Sequence, residues 1–260
     1  MPRCILITGA TSGIGAALAR EYAQSGRTLI LHGRDAARLA AITKDCTERG
    51  ARVLPLALDL SDGPAAEQAL QQLSTGADGE PGEPIDLAIV NAGASRVSAA
   101  GENIYSWEAA HEVLAVNLEG AIATVTGVLP GMRRRGHGQI ALVSSLAAYF
   151  GLPPTPVYCA SKAALKAYGE ALRGTLAPQG IAVNVILPGF VKTPMSADFT
   201  WPKPFLLTPE QAARAIRRGL ERNQARIAFP PLLAFGTWWL AVLPAALAQR
   251  MVRWMGYGAK

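Results

Sequence analysis

Seven short apolar runs punctuate the chain, at residues 4–8, 28–32, 53–57, 87–91, 140–144, 182–187 and, more briefly, 227–229. Within each run apolar residues follow one another and rarely alternate with polar ones. A strand reads that way when both faces are covered, as in a parallel sheet enclosed by helices. Longer segments of helical character lie between the runs: 13–25, 36–49, 65–73, 107–116, 120–135, 157–177 and one that follows Thr208-Pro209-Glu210. That trio is a helix start, because threonine caps and proline suits the first turn. Strand and helix in such alternation predict an α/β fold with a doubly wound parallel sheet. Right-handed crossovers then put the carboxyl ends of all strands on one edge, where ligands bind.

A chain of 260 residues, half of them hydrophobic, fits one such domain with a large core. The expected organisation is a single unit. Residues 1–225 carry dinucleotide binding and catalysis, and 226–260 form a hydrophobic extension of the same domain. Residues 74–84, rich in glycine and proline, read as a surface loop. The start runs from Arg3 straight into the first apolar run, without the pattern of a secretion signal. Cys4, Cys46 and Cys159 are scattered and odd in number, which argues against a disulfide frame or a zinc site and fits a cytoplasmic setting. His32, His111 and His137 show no metal-ligand spacing. The formal charge is +6, yet the one basic cluster, Arg133-Arg134-Arg135, precedes Gly136, where a helix should end. The helix dipole favours cations there, so no nucleic-acid partner is expected. The remaining basic excess suits an acidic cofactor or a membrane surface.

The first run ends in Thr8-Gly9-Ala10-Thr11-Ser12-Gly13-Ile14-Gly15, and a helix follows. Glycines there let backbone N–H groups approach a pyrophosphate, with the helix N-terminus facing its charge. The strand–turn–helix context makes this a Rossmann-like dinucleotide site. The second run ends in His32-Gly33-Arg34-Asp35. An arginine at that point pairs with the 2′-phosphate of NADP, whereas an acid binds the ribose hydroxyl of NAD. Arg34 favours NADP(H) over NAD(H). Asp35 is either a helix cap or the ribose acid, and a single residue of register separates the two.

Tyr158 and Lys162 stand four residues apart in a helical segment, so both side chains share one face. A phenol has a pKa of about 10, and a nearby ammonium should lower it, giving a general acid/base pair. Ser145 ends the fifth run, where its hydroxyl can hold a substrate carbonyl oxygen.

In this combination the chain resembles the short-chain dehydrogenases/reductases, in their compact, non-epimerase branch. Six landmarks agree in order: Thr8-Gly9-x-x-x-Gly13-Ile14-Gly15; Asp59-Leu60; Asn91-Ala92-Gly93; Asn117; Ser145 with Tyr158-x-x-x-Lys162; and Pro188-Gly189 followed by Thr193. The resemblance implies an NADP(H)-dependent oxidoreductase that interconverts a ketone and a secondary alcohol. By the same resemblance Gly9, Thr11, Ser12, Gly13, Ile14 and Gly15 hold the cofactor phosphates, and Asp59 and Leu60 the adenine. Asn91, Ala92 and Gly93 line the cofactor site, and Pro188, Gly189, Val191 and Thr193 lie at its nicotinamide end. Asn117 holds a water linking Lys162 to solvent. Ser145 positions the substrate, Tyr158 is the acid/base, and Lys162 also binds the nicotinamide ribose. The serine is taken as Ser145, not Ser144, because family spacing sets it thirteen residues before the tyrosine. A homodimer or homotetramer and a small-molecule ketone or alcohol substrate come with the resemblance. Two positions depart from the pattern: Val90, where a second asparagine is common, and Ser12, where some NADP users carry a cation.

From 227 to 248 no residue is charged. Pro230, Pro231, Gly236 and Pro244 interrupt this run, and Trp238-Trp239 sit in its middle. Arg250, Arg253, Trp254 and Lys260 follow, which suits an interfacial anchor. Three readings stand open: a lid or subunit contact, peripheral attachment to the cytoplasmic face of a membrane through 227–255, and a span. Residues 192–207, with Met195, Phe199, Trp201, Phe205, Leu206 and Leu207, should form a lid over the substrate. An apolar lid points to a hydrophobic or lipid-like substrate. A non-catalytic NADP(H)-binding or membrane-associated scaffold of the same fold is the alternative, and the intact Ser145, Tyr158 and Lys162 set counts against it.

Overall fold

The computed structural model describes residues 2–76, 82–95, 106–197, 199 and 201–257. Its centre is one parallel sheet of seven strands: β1 (Cys4–Ile7), β2 (Thr28–His32), β3 (Arg52–Leu56), β4 (Leu87–Val90), β5 (Gly138–Val143), β6 (Ile181–Pro188) and β7 (Arg226–Phe229). They lie in the order β3-β2-β1-β4-β5-β6-β7. The order reverses between β1 and β4, which opens a crevice at their carboxyl ends. Every apolar run of the sequence lies in a strand, with bounds shifted by a residue or two. All residues of β1 and β4 are buried, whereas the edge strand β3 is mostly half-buried or exposed.

Side-chain alternation sends the two faces of each strand into two cores. Ile5, Ile7, Leu29 and Leu31 pack with α1 (Gly13–Tyr22), α2 (Ala36–Glu48) and α8 (Pro209–Glu221). Cys4, Leu6, Ile30 and Leu142 pack on the other side with α3 (Gly63–Thr75), α5 (Gly120–Arg135) and α6 (Pro156–Leu176). Thr208 starts α8 with a reciprocal capping box to Gln211, as its Thr-Pro-Glu start implied.

Several expectations are corrected. The first helix stops at Tyr22, not at residue 25, because Gly26, with φ of 79°, turns the chain back toward β2. Ser74 is not part of a surface loop. It is buried near the end of α3, and its hydroxyl donates to the Gly127 carbonyl at 2.9 Å. Glycines on α5 permit that approach, since a methyl at Gly131 would fall 2.6 Å from the Ser74 carbonyl oxygen. Residues 77–81 of the expected loop lie outside the described residues.

The segments 107–116 and 120–135 are not separate helices. Helix α4 (Trp107–Leu114) continues into α5 through a π turn, Ala115–Glu119, which contains Asn117. The combined helix is long and apolar enough to cross a membrane by length and composition, and most of it is buried in the fold. It ends at Gly136 in the left-handed region, and Arg135 donates to the Ile85 carbonyl at 2.7 Å. Part of the basic cluster therefore works as a packed helix terminus.

The uncharged run 227–248 is divided into β7, α9 (Pro231–Val242) and the start of α10 (Ala245–Val252), with a break at Leu243-Pro244. The 12 residues of α9 extend about 18 Å, short of a hydrocarbon core of about 30 Å. The span reading therefore fails. Lys260 lies outside the described residues.

Thr8 ties the crevice together. Its buried hydroxyl oxygen accepts the N–H groups of Asn91 (2.9 Å) and Ala92 (3.0 Å), joining the exit of β1 to that of β4. Thr8→Val keeps the volume and orphans both donors. The expected loss is about 3 kcal/mol in unfolding free energy by urea titration, with Thr8→Ser recovering most of it. Equal midpoints for parent and Thr8→Val would overturn this account.

Candidate active site

The chain leaves β1 through Gly9 and Gly13, whose φ values of 64° and 52° favour glycine. The turn is fixed from β2. The Gly9 N–H donates to His32 Nδ1 at 3.1 Å, so Nε2 carries the ring proton and donates to the Leu58 carbonyl at 2.8 Å. Burial holds the His32 pKa down, so the ring is neutral. Thr11, Ser12, Gly13 and Ile14 line a cavity here, and Ser12 makes no side-chain cap to α1. The space suits a phosphate: a methyl at Gly13 would come within 2.9 Å of Thr193 Cγ2. Gly15 does not line the cavity. Its absent side chain seats α1 on the turn, since a Cβ there would fall 2.1 Å from the Gly9 carbonyl oxygen.

The exit of β2 forms one end of the cavity. Asp35 caps α2, accepting the Arg38 N–H at 2.9 Å and pairing with the Arg38 guanidinium at 3.3 Å. The carboxylate thus serves as the cap of α2, and Asp35 also lines this end of the cavity. Arg34 and Arg38 are the cations on this wall. Arg38, in the first turn of α2 and paired with Asp35, was not anticipated. Asp59 and Leu60 also line this end. The Ser61 N–H and hydroxyl donate to Asp59 and hold its carboxyl below the usual carboxylate range.

Asn91, Ala92 and Gly93 line the middle. The Asn91 amide donates to the carbonyls of Thr8 (3.0 Å) and Gly9 (3.2 Å), which stiffens the floor. A methyl on Gly93 would lie 3.4 Å from Lys162 Nζ.

Ser145, Tyr158 and Lys162 meet on this same cavity. The two serines divide their work. The Ser144 hydroxyl donates to the Lys162 carbonyl at 2.7 Å, while Ser145 lies beside Tyr158 and helps its phenolate. Lys162 Nζ donates to the Val143 carbonyl at 2.9 Å and lies 5.8 Å from the Tyr158 ring centre. Burial pushes the Tyr158 phenol up to about 12, with the Ser145 hydroxyl acting in the opposite sense. Burial also brings the Lys162 amine down to about 8. The phenol therefore moves up, opposite to the lowering expected from the ammonium, because loss of water is the largest cause on both groups.

Asn117 lies just behind the cavity wall, where a methyl on Gly93 would fall 3.2 Å from its Oδ1. Its buried side chain accepts the Ala94 N–H (2.7 Å) and donates to the Ala94 carbonyl (2.9 Å) and to Ser161 Oγ (3.0 Å). Ser161 Oγ in turn donates to the Tyr158 carbonyl at 2.7 Å. The π turn thus positions the helix that bears Tyr158 and Lys162. Ser161 had no motif to announce it.

Pro188, Gly189, Val191 and Thr193 line the cavity across from Tyr158. Thr193 also caps the short helix α7 (Pro194–Ala197) by accepting the Ser196 N–H at 3.3 Å. Of the expected lid, Met195, Phe199, Trp201 and Phe205 line the cavity. Leu206 and Leu207 do not. Leu206 is exposed, and Leu207 packs on the core after pairing with Val191. Residues 198 and 200 lie outside the described residues. The tail supplies walls with no individual signal in the sequence: Leu232, Leu233, Trp239, Leu240, Met251 and Met255. The cavity encloses about 1150 Å³, from Arg34 at one end to Tyr257 at the other. It has the size for a dinucleotide with an apolar substrate beside it.

Comparison with known proteins agrees with this geometry. The family pattern of the short chain dehydrogenases matches residues 3–203. An oxidoreductase of Myxococcus xanthus is 35% identical over 251 residues, 96% of either chain. A fatty acyl-CoA reductase of Acinetobacter baylyi is 32% identical over 224 residues, covering 86% of this chain and 74% of that protein. A short-chain dehydrogenase from Sphingobium yanoikuyae, solved in complex with NADPH, superposes with a TM-score of 0.77 at 27% identity, covering 97% of this chain and 94% of that one. With the sheet order, the glycine turn and the Tyr158–Lys162 pair on one cavity, the chain belongs to the short-chain dehydrogenase family of oxidoreductases.

Proposed function

We propose that this protein is an NADP(H)-dependent reductase of a hydrophobic ketone, working reversibly on the matching secondary alcohol. One observation carries the reading: a single cavity joins the glycine turn, Arg34 and Arg38 to Tyr158, Lys162 and a largely apolar chamber. The two arginines fit a 2′-phosphate, and the NADPH complex of the Sphingobium relative supports the same choice. The fatty acyl-CoA reductase relative, together with the apolar chamber, supports a substrate bearing a long apolar chain.

NADPH, when bound, supplies the hydride. The protein's part is to orient the carbonyl and give it a proton. Ser145 offers its hydroxyl to the carbonyl oxygen. Tyr158 donates the phenolic proton, which burial keeps on the ring through neutral pH. Lys162 spends one of its three N–H donors on Val143 and has two for the ribose hydroxyls. Asn117 acts indirectly, through Ser161, by holding the helix that bears Tyr158. A non-catalytic scaffold would need no such aligned set.

Tyr158→Phe is expected to lower kcat for ketone reduction about 10²- to 10⁴-fold with NADPH affinity unchanged. A variant as fast as the parent would remove the assigned acid, and a parent that reduces no ketone would favour a cofactor-binding scaffold. Arg34→Ala and Arg38→Ala are each expected to weaken NADPH roughly 10- to 100-fold, leaving NADH nearly untouched. Parallel losses for both cofactors, measured by fluorescence titration, would defeat the 2′-phosphate assignment.

The free enzyme's Lys162 is charged below about pH 8 and loses its proton as pH rises through that value. Tyr158 keeps its proton well beyond it. The reductive kcat/KM for NADPH should therefore fall above about pH 8, as the ammonium that meets the ribose is lost. An alkaline limb that begins only above the ordinary lysine pKa of about 10.4 contradicts this.

A further inference from the structure

Helix α9 is apolar on all sides, with Thr237 its one polar side chain and Leu240 its one buried residue. A helix of that composition belongs in a core or in lipid. Its two faces differ in what they meet. Leu233, Gly236, Thr237 and Leu240, at helical spacing, wall the chamber. Phe235, Trp238 and Val242 point the opposite way, and Phe235 and Val242 are 60% and 55% exposed. Helix α10 buries Ala248 and Val252 and turns Leu247 and Arg250 outward, with Trp254 following at 87% exposure. Bare aromatic surface on this scale marks a contact site.

Charge identifies what makes the contact. From 222 to 260 the sequence contains five basic residues and no aspartate or glutamate. Arg250, in α10, and Arg253, just after it, are exposed. A two-fold copy of this face would set arginine against a segment with no carboxylate to receive it. Tryptophan among exposed aliphatic groups, flanked by arginine, is the pattern of a surface lying at the level of anionic headgroups.

We propose that α9 and α10 dock on an anionic lipid surface, so that the chamber they wall takes its substrate from the lipid. The docking stands on the exposed face alone. The delivery rests on the hydrophobic-substrate reading above.

The test uses the full chain with two kinds of vesicle: equal parts of phosphatidylglycerol and phosphatidylcholine, and phosphatidylcholine alone. Part of the lipid carries brominated acyl chains. The parent is expected to sediment with the anionic vesicles and to show quenched tryptophan fluorescence. Arg250→Glu and Arg253→Glu should each lower the partition coefficient by about fivefold or more. Phe235→Ser/Val242→Ser/Leu247→Ser, which leaves every tryptophan and the chamber wall in place, should abolish quenching while NADPH still binds. If the triple variant fails to bind NADPH, the arginine variants carry the test.

Sedimentation without quenching means adhesion of a basic protein and overturns the docking. So does a parent dimer that the triple variant splits without any vesicle binding, since a second copy then covers the face. Docking without reduction of any ketone leaves this proposal standing and sinks the enzymatic one. Reduction of a water-soluble ketone without docking does the reverse.

Discussion

Two hydrogen bonds between β5 and α6 hold the reacting end of the molecule in register. The Ser144 hydroxyl reaches the Lys162 carbonyl, and the Lys162 ammonium reaches the Val143 carbonyl, at 2.7 and 2.9 Å. Tyr158 rides on the same helix, one turn earlier. A third tie comes from the other side, where Asn117 in the π turn holds Ser161, and Ser161 holds the Tyr158 carbonyl. Helix α6 is thereby fixed between the sheet and the long helix 107–135. Insertion of one extra residue into a helix often marks a functional site, and here it aims an amide sideways into that joint.

Burial does most of the electrostatic work. It raises the phenol and lowers the amine, so both groups lean toward their neutral forms. An ammonium in such a place is costly unless something accepts from it, and the Val143 carbonyl does. Fixed cations stand at the opposite end of the cavity, on Arg34 and Arg38. One end of the cavity thus favours anions, and the other holds a dry proton donor beside an apolar chamber. The tail closes that chamber with aliphatic and aromatic side chains, and its outer face carries the same character into solvent.

Individual residues show where sequence reasoning runs short. The glycine turn, the Asn91 turn and the Tyr158–Lys162 pair were legible because each needs fixed residue types at fixed spacing. Arg38 was not, since its meaning depends on which way the first turn of α2 faces. His32 looked like one polar residue at a strand end, yet its ring joins the turn after β1 to the chain leaving β3. Gly15 was placed among the phosphate contacts, whereas its lack of a side chain lets a helix sit on a carbonyl. Leu207 was counted in the lid because it is apolar, and the Val191 pairing takes it into the core.

The sequence by itself determined the class of fold, because doubly buried strands demand unbroken apolar runs and the crossovers between them demand helices. It also determined the chemistry on offer, because a phenol and an amine one helical turn apart share a face whatever surrounds them. Tertiary structure decided the protonation balance of that pair, since burial depends on elements far away in the chain. It decided the hydrogen-bond partners of Asp35 and Asn117, since each follows from which donor comes within 3 Å. It also decided the form of the tail. An uncharged run has the same composition as a span or as a chamber wall, and the break at Leu243-Pro244 and the packing of Leu240, Ala248 and Val252 made it a wall.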